Sequence, residues 1–431
     1  MTRIFTSFLV NDIPLIKQQM LNWSNQFNIC CFLDSQSYPS LHKSYECVAG
    51  IGVQAFFKPG DDFFNHLSQF YATTDDWIFG HFSYDLKNRI EGLVSTHPDH
   101  VGYPEAFLFI PQVVLTLAED KLTIGSVGDD PGTIYKQIME AKPMASLEEN
   151  VALLPRLSRE AYIDHVNLIK KRILRGDCYE INFCQEFYSV GTAVNPISLY
   201  RELVTLSPNP FSAFYKLNEL TLMCASPERY LKKTGSHLIS QPIKGTLKRT
   251  SFANDDVSIE QSRLLNNAKE RSENVMIVDL VRNDLSKICR EGSVKVDELF
   301  GLYTFPHLYQ MISTISGDLQ EGTDLSDMLR ATFPMGSMTG APKRKVMEII
   351  EEYENSRRGL YSGTVGYITP EKDFDFNVVI RSLMYNQQTR YLSCMAGSAI
   401  TYQSNAEQEY DECLLKVDAI KKVLTRQHFS N

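Results

Sequence analysis

Hydrophobic and polar positions recur with recognisable periods through the second half of this chain. Tyr162, Val166, Ile169, Ile173 and Leu174 lie at helical spacing, Ser158 stands where an N-cap would, and the pattern stops near Gly176. Comparable helical stretches are predicted at about 256–290, 342–354 and 406–424. Among them, the runs 360–369, 374–385 and 390–399 are rich in β-forming residues. Turn signals at Pro370-Glu-Lys-Asp373 and Asn386-Gln-Gln-Thr389 join these runs into a predicted antiparallel meander. The amino-terminal part is less regular, and its short apolar runs at 29–33, 77–82 and 107–117 predict strands with irregular connections. This interleaving predicts an α+β fold, with helices packed on large, mainly antiparallel sheets rather than on a doubly wound parallel sheet.

Composition narrows the partners. The segment 141–156, with Pro143, Pro155, Ser146, Glu148, Glu149 and Asn150, has the character of a connection between two regions, 1–150 and 151–431. At 431 residues and 43% hydrophobic, the chain can bury a substantial core. Its formal charge of −9 and scattered Lys and Arg leave no footprint for nucleic acid, so none is expected as a partner. No stretch approaches the roughly 18 apolar residues of a membrane span, and Met1 to Val10 is too short for a secretory core. Nine cysteines without a Cys-x-x-Cys suit reduced core thiols. No membrane partner is expected, and the expected location is the cytoplasm.

Chemistry enters with two acidic pairs, Glu270-Arg-Ser-Glu273 and Glu409-Tyr-Asp-Glu412, each inside a predicted helix. Residues three apart share a helix face, and like charges there oppose the helix by roughly 0.2–0.5 kcal/mol. Two such pairs converging on one pocket would want a cation, and hard carboxylate oxygens on rigid helices suit Mg²⁺. One pair alone is ordinarily a solvated face. Lys416 shares a face with Glu409 and Glu412, beside the apolar stripe of Tyr410, Cys413, Leu414, Val417 and Leu424; an exposed Glu412–Lys416 salt bridge is the plainer reading. Lys244 precedes a glycine that lets backbone approach a small ligand. A lysine is nucleophilic only when neutral, a condition that costs roughly 4.6 kcal/mol at pH 7 unless burial or a neighbouring cation lowers its pKa. The loop from Gly336 to Lys343 feeds a helix but lacks phosphate-loop spacing; that helix's amino terminus can still receive a carboxylate.

Taken together, these segments resemble the chorismate-utilising enzymes over about 155–425. The residues that carry the likeness are Gly176-Asp-Cys-Tyr-Glu-Ile-Asn182, Ser226-Pro-Glu-Arg229, Gln241-Pro-Ile-Lys-Gly-Thr246, the stretch Glu270 to Asp284, the loop Gly336 to Lys343, Asp375-Phe-Asn377 with Arg381, and Glu409 to Lys416. The resemblance implies the chorismate-binding fold, two large sheets packed as a sandwich with helices outside. It also implies an anthranilate-synthase-I-like region at 1–150 and a chorismate-binding catalytic region at 151–431. Lysine at position 244 is similar to the family's aminodeoxychorismate synthases, whereas anthranilate and isochorismate synthases typically carry alanine there. The implied reaction is therefore amination of chorismate to 4-amino-4-deoxychorismate, a precursor of 4-aminobenzoate and folate.

In that implied mechanism Glu273 and Glu412 hold Mg²⁺, Glu270 and Glu409 support it through water, Glu228 protonates the departing C4 hydroxyl and Lys244 adds at C2. The resemblance further assigns His307 a place beside the ring. Tyr367 and Arg381 become carboxylate ligands, backbone at Ala396, Gly397 and Ser398 faces substrate, and Thr246, Ser337 and Lys416 line the pocket. Ser398 replaces a usual glycine and Cys413 a common threonine. Cys31-Phe-Leu-Asp-Ser35 is only weakly similar to the family's tryptophan-binding motif. With no Gly-x-Cys-x-Gly elbow in the chain, a glutamine amidotransferase subunit is the expected source of ammonia. Two alternatives stand beside this reading: anthranilate synthase component I, which would release pyruvate and not need Lys244, and a catalytically silent binding subunit.

Overall fold

Alternating strands with one face toward each of two apolar layers dictate the architecture. In the strand Leu220–Ser226, Leu222 and Cys224 turn to one buried cluster while Met223 and Ala225 turn to another, the period of two expected of a sheet covered on both sides. The structure, a computed structural model, describes residues 2–39, 42–142, 150–248, 254–304 and 308–425, with the side chains of Thr246, Lys248, 254–258 and Leu308 outside that description.

A 12-stranded sheet runs in the order Ile4–Leu9, Lys121–Ser126, Val113–Ala118, Cys47–Ile51, Ile29–Asp34, Phe211–Leu217, Leu220–Ser226, Ser382–Asn386, Tyr391–Ile400, Glu180–Val190, Gly340–Ala341, with Leu154–Pro155 also against Glu180–Val190. A 10-stranded sheet runs Ile243–Lys248, Leu308–Asp318, His237–Gln241, Arg229–Thr234, Phe374–Asn377, Thr364–Ile368, Ile78–Phe82, Ala106–Ile110, Ala55–Phe56, with Lys295–Thr304 also against Leu308–Asp318. Each sheet takes strands from both sides of residue 150: Ile29–Asp34 pairs antiparallel with Phe211–Leu217, and Ile78–Phe82 with Thr364–Ile368. One apolar layer, including Phe79, Phe109, Leu231 and Phe376, lies between the sheets. The other covers the outer face of the 12-stranded sheet, where helices bring Ile16, Met20, Ile134, Val166, Tyr200 and Val417.

The helix predicted behind Ser158 spans Arg159–Leu174, with the Ser158 hydroxyl accepting from the Ala161 amide at 3.2 Å. Two predictions need correction. The stretch 256–290 is two helices, Asn254–Leu265 and Ala268–Ser286, because the Asn267 side chain caps the second one through the amides of Lys269 and Glu270. The run 374–385 is not one strand of a meander: Phe374–Asn377 belongs to the 10-stranded sheet and Ser382–Asn386 to the 12-stranded sheet. Arg381, at φ 52°, turns the chain between them. All nine cysteines are free and buried, and among the described residues no helix is long and apolar enough to cross a membrane.

Candidate active site

Four elements converge on Lys244. Its strand, Ile243–Lys248, packs beside helix Ala268–Ser286, and Gly245 makes that approach possible: at φ +90°, a Cβ there would stand 3.2 Å from Glu270 Oε2. Strand Glu180–Val190 supplies Glu180, whose carboxylate lies 2.7 Å from Lys244 Nζ. The loop carrying Ser337 closes on the same strand through Gly340, where a Cβ would stand 2.1 Å from the Glu180 carbonyl oxygen. Helix Ala406–Thr425 completes the wall with Glu409, Glu412 and Lys416.

Glu228 is buried and accepts a 2.6 Å hydrogen bond from Ser337 Oγ. Burial pushes its carboxyl up to about 7, against the downward pull of Ser337, Lys244 and Lys416. It is thus a carboxylic acid able to hold a proton near neutrality. Lys244 departs from the neutral amine expected of a nucleophile. Burial alone would lower its pKa, but Glu180, Glu273 and Glu228 outweigh burial and hold it above the ordinary lysine value.

The two acidic pairs do converge. Glu273 is buried and pushed up to about 8, chiefly by desolvation; burial and the neighbouring Glu412 raise Glu270. Glu412 lies below its ordinary value despite burial, because Lys416 Nζ sits 2.7 Å away. Lys269 Nζ is 2.8 Å from Glu409 Oε1 and 3.6 Å from Glu273 Oε1. As the side chains stand, no three acidic, imidazole or thiolate groups among the described residues are set to hold a metal ion. The donor set nevertheless fits a hard divalent cation, since Glu273 Oε1 and Glu409 Oε2 are buried without a hydrogen-bond partner.

The remaining predicted residues divide. Lys416 Nζ also donates to the Gly397 carbonyl at 2.8 Å, which turns that backbone toward the acidic cluster. The Ser398 hydroxyl meets Tyr162 Oη at 3.3 Å, and the Ala396 carbonyl accepts from Cys413 Sγ at 3.3 Å, both contacts on the side of the outer helices. Arg381 Nη1 donates to the Lys416 carbonyl at 3.4 Å, and its charge is felt with Tyr361 and Glu412. Tyr367 is a correction. Its ring packs with Tyr45, Trp77 and Phe79 in a separate cavity of about 70 Å³, lined also by Asp34, Ser35, Arg229 and Asp375. The aromatic hydroxyl that accompanies Arg381 is that of Tyr361, six residues earlier. Thr246 lies in the Lys244 strand opposite Gln310, and His307 lies outside the described residues. The sequence reading gave no role to Glu180, although it sits in a motif that carried the resemblance, and none to Lys269, which nothing but its place before Glu270 would single out.

The chain matches the chorismate binding enzyme family over residues 40–422. It is 34% identical to aminodeoxychorismate synthase component 1 of Escherichia coli (strain K12) over 351 residues, 80% of this chain and 76% of that one. It is 30% identical to anthranilate synthase component 1 of Aquifex aeolicus (strain VF5) over 377 residues, 80% and 74% of the two chains. Anthranilate synthase component I from Streptococcus pneumoniae TIGR4 has the same fold, with a TM-score of 0.74 at 23% identity, covering 90% of this chain and 94% of that one. With a family match across most of its length and relatives above 30% identity over four-fifths of it, this chain belongs to the chorismate-binding enzymes.

Proposed function

We propose that this chain is the chorismate-aminating component of an aminodeoxychorismate synthase, converting chorismate and ammonia to 4-amino-4-deoxychorismate. The observation that carries this reading is a largely buried lysine, Lys244, in one electrostatic cluster with Glu228, whose carboxyl burial raises to about 7, and the two acidic pairs. Lys244 passes a proton to Glu180, 2.7 Å away, and its neutral amine adds at C2 while Glu228 gives its proton to the C4 hydroxyl, which leaves as water. Ammonia then adds at C4, the lysine departs, and Glu228 takes back a proton from the new ammonium. Arg381 and Tyr361 receive a substrate carboxylate. Glu273 and Glu412, with Glu270 and Glu409 beside them, would hold magnesium, which would supply positive charge to offset that of the ring carboxylate. With Glu273 so engaged, its hold on the Lys244 proton would weaken, leaving Glu180 as the main partner of that proton.

The ammonia source in this reading is a separate glutamine amidotransferase subunit, in keeping with the "component 1" of the relatives' names. A cytoplasmic location accords with nine buried free thiols. The test is incubation with chorismate, Mg²⁺ and an ammonium salt, with mass analysis of the product. The expected product is 4-amino-4-deoxychorismate without pyruvate; anthranilate with pyruvate would instead establish the anthranilate synthase reading. Lys244→Ala is expected to lower the aminated product by at least about a hundredfold, consistent with loss of a covalent catalyst. Glu412→Gln is expected to raise the Mg²⁺ concentration needed for half-maximal turnover, and unchanged turnover at low Mg²⁺ would remove Glu412 from the ligand set.

A further inference from the structure

Lys269 is the second residue of helix Ala268–Ser286 and takes no part in the chemistry above. Its ammonium spans the two acidic pairs, 2.8 Å from Glu409 on the carboxy-terminal helix and 3.6 Å from Glu273 one turn along its own helix. Glu273 Oε1, the oxygen nearest that ammonium, and Glu409 Oε2 are both buried without a hydrogen-bond partner. Lys416 meanwhile is engaged by Glu412 and the Gly397 carbonyl. Lys244 also acts on Glu273, but the ammonium within ion-pair distance of both Glu273 and Glu409 is that of Lys269.

We propose that Lys269 is a resident counter-ion of the acidic cluster, and that a divalent cation binds by displacing its ammonium. The inference rests on the reading of this cluster as a magnesium site. Mg²⁺ demands oxygen ligands at about 2.0–2.1 Å in near-octahedral order. An ammonium already lodged between the carboxylates occupies that gap, and two cations a few ångströms apart in a partly buried site repel strongly. Lys269 is able to leave: its side chain is 31% exposed and carries its charge on a flexible four-carbon stem, so it can swing to water. While it stays, it offsets the repulsion among carboxylates that burial has stripped of solvent and keeps the two helices together. Metal binding becomes an exchange of one cation for another. Removing the lysine then has two opposite effects, a less stable metal-free protein and a tighter metal site.

The experiment is calorimetric titration with MgCl₂ of the full chain, its Lys269→Gln variant and its charge-retaining Lys269→Arg variant, with thermal unfolding of each at zero and saturating Mg²⁺. The expected result is Mg²⁺ affinity on the order of three- to tenfold tighter in Lys269→Gln than in the parent, the scale of one partly buried ion pair, with Lys269→Arg near the parent. Lys269→Gln should unfold at a lower temperature without metal and gain more from saturating Mg²⁺ than the parent does. Equal or weaker Mg²⁺ binding by Lys269→Gln, beside normal binding by the parent, overturns the counter-ion role and leaves the magnesium site standing. Absence of binding by all three proteins overturns the magnesium site and the counter-ion role with it. If Lys269→Gln folds only when Mg²⁺ is present, exchange of the two cations is supported directly; if it folds under neither condition, exchange is overturned.

Discussion

The chemistry of the site comes down to where Glu228 keeps its proton. Burial raises this carboxyl to about 7 while the Ser337 hydroxyl pulls it down. In the loaded site, once Lys244 has given up its proton, Glu228 must still keep its own, so turnover there should fall as pH rises through about 7. Ser337→Ala removes a downward influence, so the alkaline limb of the kcat/KM profile should move to higher pH while kcat drops roughly tenfold from lost positioning. A limb that stays in place would show that another group sets it. The folded protein holds this proton between the ordinary carboxyl value and about 7, so the stability Glu228 contributes is full below that window and is lost as pH rises through it. At this scale the sequence was legible wherever a motif carried the residue: Lys244, Glu228, Ser337, Glu412 and Lys416 all meet. It failed where two similar residues compete, because Tyr361 and Tyr367 occupy one apolar run and only the turn at Arg381 decides which accompanies the guanidinium.

Between elements, one buried ion pair holds the loop that carries Ser337 to the sheet. Arg358 pairs with Glu354 and donates to the carbonyls of Met338 and Asn182 at 2.6 and 2.8 Å, while Glu354 accepts from the Cys184 amide at 2.9 Å. The Ser337 loop and the Glu180 strand therefore share one clamp. Arg358→Met leaves Glu354 buried and uncompensated, which is expected to cost about 3–5 kcal/mol in denaturant unfolding and to lower turnover by loosening Ser337. Full activity in a destabilised variant would separate the clamp from the site. Helix positions were legible from periodicity, since an apolar stripe and a cap are local facts. The split of 374–385 between two sheets was not, because β-forming residues on both sides of Arg381 conceal a change of partner.

Across the whole molecule, neither side of residue 150 completes a sheet alone. Ile29–Asp34 lies along Phe211–Leu217 and Ile78–Phe82 along Thr364–Ile368, and both pairings bury apolar side chains between the sheets. A fragment covering 151–431 would expose those strand edges and is expected to be recovered insoluble, whereas coexpression with 1–150 should restore a soluble complex. A soluble, cooperatively unfolding fragment would show that the catalytic region is independent. The class of fold was legible from alternating patterns and turns, but strand order was not, because these pairings join residues far apart in sequence.

That strand order bears on how the chain emerges from the ribosome. Glu180–Val190 is paired along one edge by Tyr391–Ile400, a neighbour about 200 residues downstream. At synthesis rates of about 5–20 residues per second, the earlier strand waits on the order of 10–40 seconds with the backbone N–H and C=O groups of that edge unpaired. Nascent molecules interrupted in that interval should be prime clients for holding chaperones, and stalls placed just before codon 391 should be more harmful than stalls after codon 400.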